Sequence, residues 1–199
     1  MAMESSDASS REQGSRPPEI SDIVRLCEAL NREGAKYLVV GGFAIIQAGY
    51  PRFTEDLDLL IDTHVENESR VLKVLAQLPD GVAAQVRPGE ISHYGVVRIS
   101  DEIMVDLMGS GCGVTYADAI TDAVWRDIDG VRIPFASKPT LWKMKQTLRE
   151  KDIPDRIFLA EAMAREGVQP DPPLRKEQDD LRGVPRWLKR ILCRLFPGS

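Results

Sequence analysis

An α/β domain is the fold class this chain predicts, and three patterns carry that expectation. A short apolar run, Tyr37-Leu38-Val39-Val40, stops at Gly41-Gly42 and gives way to Phe43-Ala44-Ile45-Ile46-Gln47-Ala48, which reads as a buried strand, a turn and a short helix. In Leu57-Asp58-Leu59-Leu60-Ile61 the residues Leu57, Leu59 and Ile61 take alternate positions, the period of a strand with one buried face. Residues 95–100 and 103–108 flank Asp101-Glu102 as arms of an antiparallel hairpin. With 199 residues and 43% hydrophobic content, the chain is large enough for one domain with a substantial core.

The elements follow in order. Residues 1–18 are polar, rich in Ser, Glu and Arg, and read as a disordered tail rather than a secretory signal or a membrane span. The domain is expected over 19–168. It opens with a helix near Ile20–Arg32, where Ile23, Leu26, Cys27 and Leu30 form one apolar stripe. Gly49-Tyr50-Pro51 ends the short helix after the paired glycines, and Arg52 and Thr54 lead into the acidic strand. His64 caps or decorates an amphipathic helix over 65–78, which ends at Pro79-Asp80-Gly81. His93 sits in a loop, placed to touch a base or ribose or simply solvated. After the hairpin comes a glycine-rich loop, Gly109-Ser110-Gly111-Cys112-Gly113, either a linker or a point of nucleotide approach. Val131–Phe135 is expected as an edge strand, and 138–167 supplies two C-terminal helices.

Residues 169–199 read as a Pro-rich linker and a basic amphipathic helix. Trp187, Leu188, Ile191, Leu192 and Leu195 repeat at helical spacing opposite Arg186, Arg190 and Arg194. The chain as a whole carries a net charge of −5, so this basic end contrasts with an acidic body. The helix could dock on the domain, bind RNA phosphates or lie on a membrane surface. Cys27, Cys112 and Cys193 fall at no metal or disulfide spacing, and no targeting or transmembrane segment is apparent. A reducing, cytoplasmic compartment is the expectation.

The chemistry concentrates in a few carboxylates. Asp56 and Asp58 stand two residues apart, roughly 6.6 Å along a strand. Like charges held that close repel, and a hard divalent cation with oxygen ligands relieves them; the bland alternative is an acidic strand end dissolved in water. Asp106 is the single charge inside Ile103-Met104-Val105-Asp106-Leu107-Met108. A carboxylate there is costly to bury unless paired or bound to metal, although it could sit at a solvated strand end beside Gly109. Upstream, Gly41-Gly42 lets backbone N–H groups approach a ligand, and the following helix N-terminus favours phosphate.

Gly41-Gly42-Phe43-Ala44, the spacing to Arg52-Phe53-Thr54, and Asp56-Leu57-Asp58-Leu59-Leu60 together resemble the first motif of minimal nucleotidyltransferases of the DNA polymerase β superfamily, most closely the AbiEii/MNT-like toxin–antitoxin type. Leu141 to Asp155, with Met144-Lys145, Arg149, Lys151-Asp152 and Asp155, resembles that family's C-terminal segment. The resemblance spans about 37–160 and implies the nucleotidyltransferase fold, a mixed β-sheet flanked by helices with a C-terminal helical part. It implies Mg-dependent transfer of a nucleoside monophosphate from an NTP such as ATP to an acceptor hydroxyl. Asp56, Asp58 and Asp106 would be metal ligands for two Mg2+ ions, with Mn2+ as substitute, and Lys145 would join them as a catalytic residue. Gly41, Gly42, Arg52, Thr54 and Lys145 would bind the nucleotide.

Read as one helix, 141–155 puts Lys145 and Arg149 one turn apart on one face, while Asp152 and Asp155 could equally cap a helix beginning near Pro154. The acceptor is left open among tRNA, protein and a small molecule, with a cognate toxin or antitoxin as partner. Two other classes stand beside this reading: a catalytically idle NTP- or partner-binding module, and an RNA-binding protein acting through its basic tail.

Overall fold

The structure, a computed structural model, describes residues 15–170. The basic helix expected over 181–199, the linker from 171 on, Cys193 and residues 1–14 of the expected tail lie outside them. Eight strands occur among the described residues: β1 (Tyr37–Val39), β2 (Leu57–Ile61), β3 (Val96–Ser100), β4 (Met104–Met108), β5 (Ser110–Gly111), β6 (Val114–Thr115), β7 (Val124–Ile128) and β8 (Val131–Phe135). Six of them form one mixed sheet in the order β3-β4-β2-β1-β8-β7. The central pair β1–β2 is antiparallel, the pairs β2–β4 and β1–β8 that flank it are parallel, and the outer pairs β3–β4 and β7–β8 are antiparallel.

The helices are α1 (Ile20–Arg32), α2 (Gly41–Gln47), α3 (Val65–Leu75), α4 (Glu90–Tyr94), α5 (Tyr116–Ala119), α6 (Lys138–Met144) and α7 (Ile153–Arg165). The mixed sheet flanked by helices is the architecture expected, and α1 buries the expected stripe of Ile23, Leu26, Cys27 and Leu30. In β2, Leu57, Leu59 and Ile61 are fully buried as expected, but Leu60 on the Asp58 face is fully buried too, so only the Asp58 end of the strand has an open face. All four meet Leu38, Val39, Ile99, Val105 and Leu107 in the main core.

Several expectations need correction. β8 is not an edge strand, because β7 pairs along its outer side from Val124↔Phe135 to Ile128↔Val131. β7 shows no apolar stripe, since Trp125, Arg126 and Asp127 are all exposed. The glycine-rich stretch after β4 is not a plain loop, because Ser110–Gly111 pairs with Val114–Thr115 around Cys112, whose φ of 49° closes the turn. The expected tail also ends earlier than Pro18. Arg16 donates its backbone N–H to the Glu102 carbonyl at 3.0 Å and its guanidinium to Asp22 at 2.6 and 2.8 Å, and Pro18 is buried.

Two buried acids fix the path into β3. Glu68 on α3 is fully buried and accepts the backbone N–H of Gly89 at 2.5 Å and of Ser92 at 2.9 Å, which anchors the start of α4. Asp101, 2% exposed, accepts the N–H groups of Asp80, Val82 and Glu102 and so shapes the β3–β4 turn. Removing either acid strands buried donors, which cost about 1–3 kcal/mol each when unpaired. Glu68→Ala should therefore lower the melting temperature by several degrees, with a loss of about 2–4 kcal/mol in urea unfolding. A shift no larger than that of a surface Glu→Ala control would show that α4 holds without its anchor.

Candidate active site

Strand register assembles the acidic cluster. In the parallel pair β2–β4, Asp58 lies directly opposite Asp106. In the antiparallel pair β3–β4, Asp106 lies directly opposite Arg98. Partners directly opposite one another present their side chains on the same face, so Arg98, Asp106 and Asp58 form a row across three strands. Asp56, just before β2, joins that row. One carboxylate oxygen from each of Asp56, Asp58 and Asp106 lies within 4.8 Å of the others. Asp106 is 7% exposed, and the other two acids are partly buried.

Burial, followed by the charges of Asp56 and Asp106, pushes the Asp58 carboxyl up to about 6, against the opposing effects of Lys145 and the Gly42 N–H. Three hard oxygen donors converging from rigid strands fit a divalent cation of the magnesium type.

The paired glycines are explained first by this strand. Gly41 has a φ of +60°, and a Cβ there would stand 1.7 Å from Asp58 Oδ2. A Cβ on Gly42 would stand 2.2 Å from Thr54 Oγ1. The backbone of α2 thus lies directly against the acidic strand, and the Gly42 N–H hydrogen-bonds Asp58. Thr54, 8% exposed, donates its hydroxyl to the Asp56 carbonyl at 3.2 Å and to Asp56 Oδ1 at 3.3 Å. Gly41, Gly42 and Thr54 therefore shape the acidic pair in the absence of any ligand.

The C-terminal segment is arranged differently from expectation. Ser137 caps α6, accepting from Thr140 N, with Pro139 in the first turn. The helix stops at Met144, and Lys145 is its C-cap. Lys145 and Arg149 consequently do not stand one turn apart on a helix. They converge instead on one carboxylate, with Lys145 Nζ 2.8 Å from Asp152 Oδ1 and Arg149 Nε 2.8 Å from Asp152 Oδ2. Thr147 also donates to Asp152, and Arg156 from α7 donates to the Lys145 and Thr147 carbonyls. These bonds reverse the chain where a continued helix was expected.

Asp152 and Asp155 are each 1% exposed and neither caps α7 through its side chain. Burial raises Asp152, but hydrogen bonds from Lys145 and Thr147 outweigh it and hold the carboxyl below its ordinary range. Lys145 Nζ also lies 2.9 Å from Asp155 Oδ2, which takes Arg52 Nη1 at 2.5 Å. Arg52 is thus committed to Asp155 as well, and ties the segment before β2 to α7.

Arg98 is the site residue that the sequence reading missed. Its Nε and Nη2 reach Asp106 Oδ1 and Oδ2 at 2.7 and 2.6 Å, and Nη2 lies 3.5 Å from Asp56 Oδ2. The signal for it was the length of the β3–β4 turn. A connection made only of Asp101-Glu102 places Arg98 opposite Val105; the actual register pairs Ser100 with Met104 and brings Arg98 opposite Asp106. His93 lies in α4 and not in a loop as expected; it is exposed and packs edge-on against Tyr94 at 4.6 Å. His64 is the N-cap residue of α3, and its Nδ1 contacts Asp62. A neighbouring open cavity of about 630 Å³ is lined by Cys112, Asp118, Asp122, Thr140, Lys143 and Gln146, none of them part of the acidic cluster.

No protein-family model matches the chain, and no curated protein matches it. Among solved structures the chain is similar to ANT(2″)-Ia in complex with adenylyl-2″-tobramycin, with a TM-score of 0.46 and 11% identity over 74% of this chain and 90% of that one. It is also similar to a protein of Thermotoga maritima assigned as a nucleotidyltransferase, with a TM-score of 0.41 and 16% identity over 79% of this chain and 91% of that one. A third is an antigenic nucleotidyltransferase-like protein from Paracoccidioides brasiliensis, with a TM-score of 0.44 and 16% identity over 84% of this chain and 92% of that one. The functional reading rests on the side chains described above and not on these distant likenesses.

The raised Asp58 carboxyl makes stability depend on pH. An unfolded aspartate titrates near 3.9, so folding takes up a proton between about pH 4 and 6 and stability falls as pH rises through that window. Metal-free Asp58→Asn protein should therefore melt higher than the parent at about pH 7.5, and the difference should shrink toward pH 4. Melting curves across that range check it, and a difference independent of pH would show that the fold does not raise the Asp58 carboxyl.

Proposed function

We propose that this protein is a magnesium-dependent nucleotidyltransferase that moves a nucleoside monophosphate from an NTP to an acceptor hydroxyl and releases pyrophosphate. The observation that carries the reading is the register that sets Asp58 opposite Asp106, with Asp56 beside them, on strands that cannot spread apart. The acceptor oxygen forms a bond to the α-phosphorus, the bond from that phosphorus to the pyrophosphate bridging oxygen breaks, the pyrophosphate leaves with that electron pair, and the acceptor proton passes to water. Asp56, Asp58 and Asp106 would hold two Mg2+ ions, with Asp106 serving the acceptor side. Magnesium bound there supplies Lewis-acid stabilisation of charge on the acceptor oxygen and on the leaving group.

The remaining residues position the donor. Gly41 and Gly42 keep the wall beside Asp58 free of side chains, so the triphosphate can approach the backbone closely. Thr54 holds Asp56 and faces the phosphates. Lys145 places a positive charge within electrostatic reach of Asp58, the charge that a polyphosphate needs, and Arg52 supports it through their shared partner Asp155. The acceptor is tRNA, a protein or a small molecule, and a toxin–antitoxin pairing belongs to the proposal. A reducing cytoplasmic setting belongs to the same reading. Among the described residues no helix is long and apolar enough to cross a membrane.

Incubating the protein with each labelled NTP, Mg2+ and separate pools of RNA, protein and small molecules should label one pool. Asp56→Ala and Asp106→Ala should each abolish that labelling, and Mg2+-dependent labelling by either variant would overturn the assignment. Lys145→Ala should lower kcat/KM for the NTP by about tenfold or more, about 1.4 kcal/mol of transition-state stabilisation. Lys143→Ala, at an exposed position, should change it little. Equal losses from both substitutions would remove Lys145 from the phosphate site.

A further inference from the structure

The acidic cluster already contains a cation of its own. Arg98 forks onto both oxygens of Asp106, at 2.7 and 2.6 Å, and its Nη2 lies 3.5 Å from Asp56. A bidentate guanidinium–carboxylate pair is among the stronger charged contacts a protein makes. This one links the carboxylate assigned to the acceptor-side metal with Asp56, a second acid of the cluster. A guanidinium and a divalent ion cannot both sit against the same carboxylate oxygens without strong like-charge repulsion.

The two cations near the cluster differ in freedom. Lys145 is 10% exposed in its side chain and enclosed by two buried acids, whereas the Arg98 side chain is 55% exposed. Arg98 stands on β3, the strand at the margin of the sheet. Its neighbours on that face, Val96 and Ser100, are also exposed. The guanidinium can therefore turn toward solvent without disturbing the core.

We propose that Arg98 is the resident counter-cation of the acceptor-side metal position, and that it must leave Asp106 before a divalent ion is bound there. The inference rests on the metal-site part of the nucleotidyltransferase reading. In the free protein Arg98 neutralises Asp106 and keeps metal affinity low. A bound triphosphate brings further negative charge, which favours the second ion and offers the released guanidinium another anionic partner. Occupancy of the acceptor-side position thereby follows nucleotide binding instead of preceding it, and Arg98 acts as a positioning residue that sets this order.

The test is Mn2+ titration of nucleotide-free protein, read by the electron spin resonance signal of the free ion. Arg98→Met should bind Mn2+ about tenfold more tightly than the parent, or more, because a competing charge has gone. The double variant Arg98→Met with Asp106→Asn should lose that gain. The affinity increase that a non-hydrolysable NTP analogue confers on the parent should be smaller in Arg98→Met. Mn2+ affinity unchanged or weakened in Arg98→Met overturns the proposal.

If circular dichroism shows that Arg98→Met is unfolded, Arg98→Lys decides. It keeps the charge but loses the fork, and should bind Mn2+ more tightly than the parent; equal affinity again overturns the proposal. Asp106→Asn alone separates this idea from its parent reading. Mn2+ binding indifferent to Asp106→Asn means that the triad is not the metal site, whereas binding lost there but not improved by Arg98→Met means that only the counter-cation role fails.

Discussion

Mutual repulsion among three carboxylates is the constraint around which this structure is organised. Asp56, Asp58 and Asp106 offer oxygens within 4.8 Å of one another, an arrangement that three independent side chains would relax by turning apart. They do not turn apart because two of them are opposite partners on adjacent parallel strands, backed by the buried face of Leu57, Leu59, Val105 and Leu107. The hydrophobic core thus acts against the local electrostatics. Burial of several large apolar side chains, each contributing about 1.5–3 kcal/mol, exceeds a charge penalty of a few kcal/mol. The leftover positive charge demanded by the cluster is supplied from two sides, by Arg98 from β3 and by Lys145 from the end of α6.

The helical part shows a second balance of the same kind. Lys145, Asp152 and Asp155 are almost completely buried, a placement tolerable only when every charge has a close partner. Each does. Lys145 bridges both acids, Arg149 and Thr147 complete Asp152, and Arg52 completes Asp155. Taking away one member leaves a buried charge without its counter-charge, so the group behaves as a unit.

Much of the site was legible in the sequence, for reasons that can be named. Strands repeat every two residues, so apolar residues at 57, 59 and 61 fix which way Asp58 points without knowledge of the rest of the chain. A single charge within the apolar stretch 103–108 marked Asp106 in the same way. What escaped depended on counting or on distant partners. Arg98 was hidden because one residue more or less in a turn flips a whole strand face, and the turn length is set by Asp101 gripping amides from 80 and 82. Lys145 was identified but its setting was not, since nothing local announces that α6 stops at Met144; that stop is held by Arg156 from another helix. β7 escaped because its side chains are mostly exposed and show no stripe. Asp152 and Asp155 fit helix capping and ion pairing equally well until their neighbours across the fold are known.

The ion pairs joining Lys145 to α7 have a consequence for how the protein comes into being. Synthesis runs from the amino end, and the sheet strands are complete once Phe135 has been added, some twenty residues before Asp155. At that point the three strand acids have been made, but neither Lys145 nor the carboxylates that will hold it has been added. Arg52 likewise has no anchor until Asp155 follows. A nascent or prematurely terminated chain ending between 145 and 152 carries a finished acidic cluster beside an unheld lysine. Synthesis through the start of α7, and not merely completion of the sheet strands, is the condition under which this part of the site takes shape.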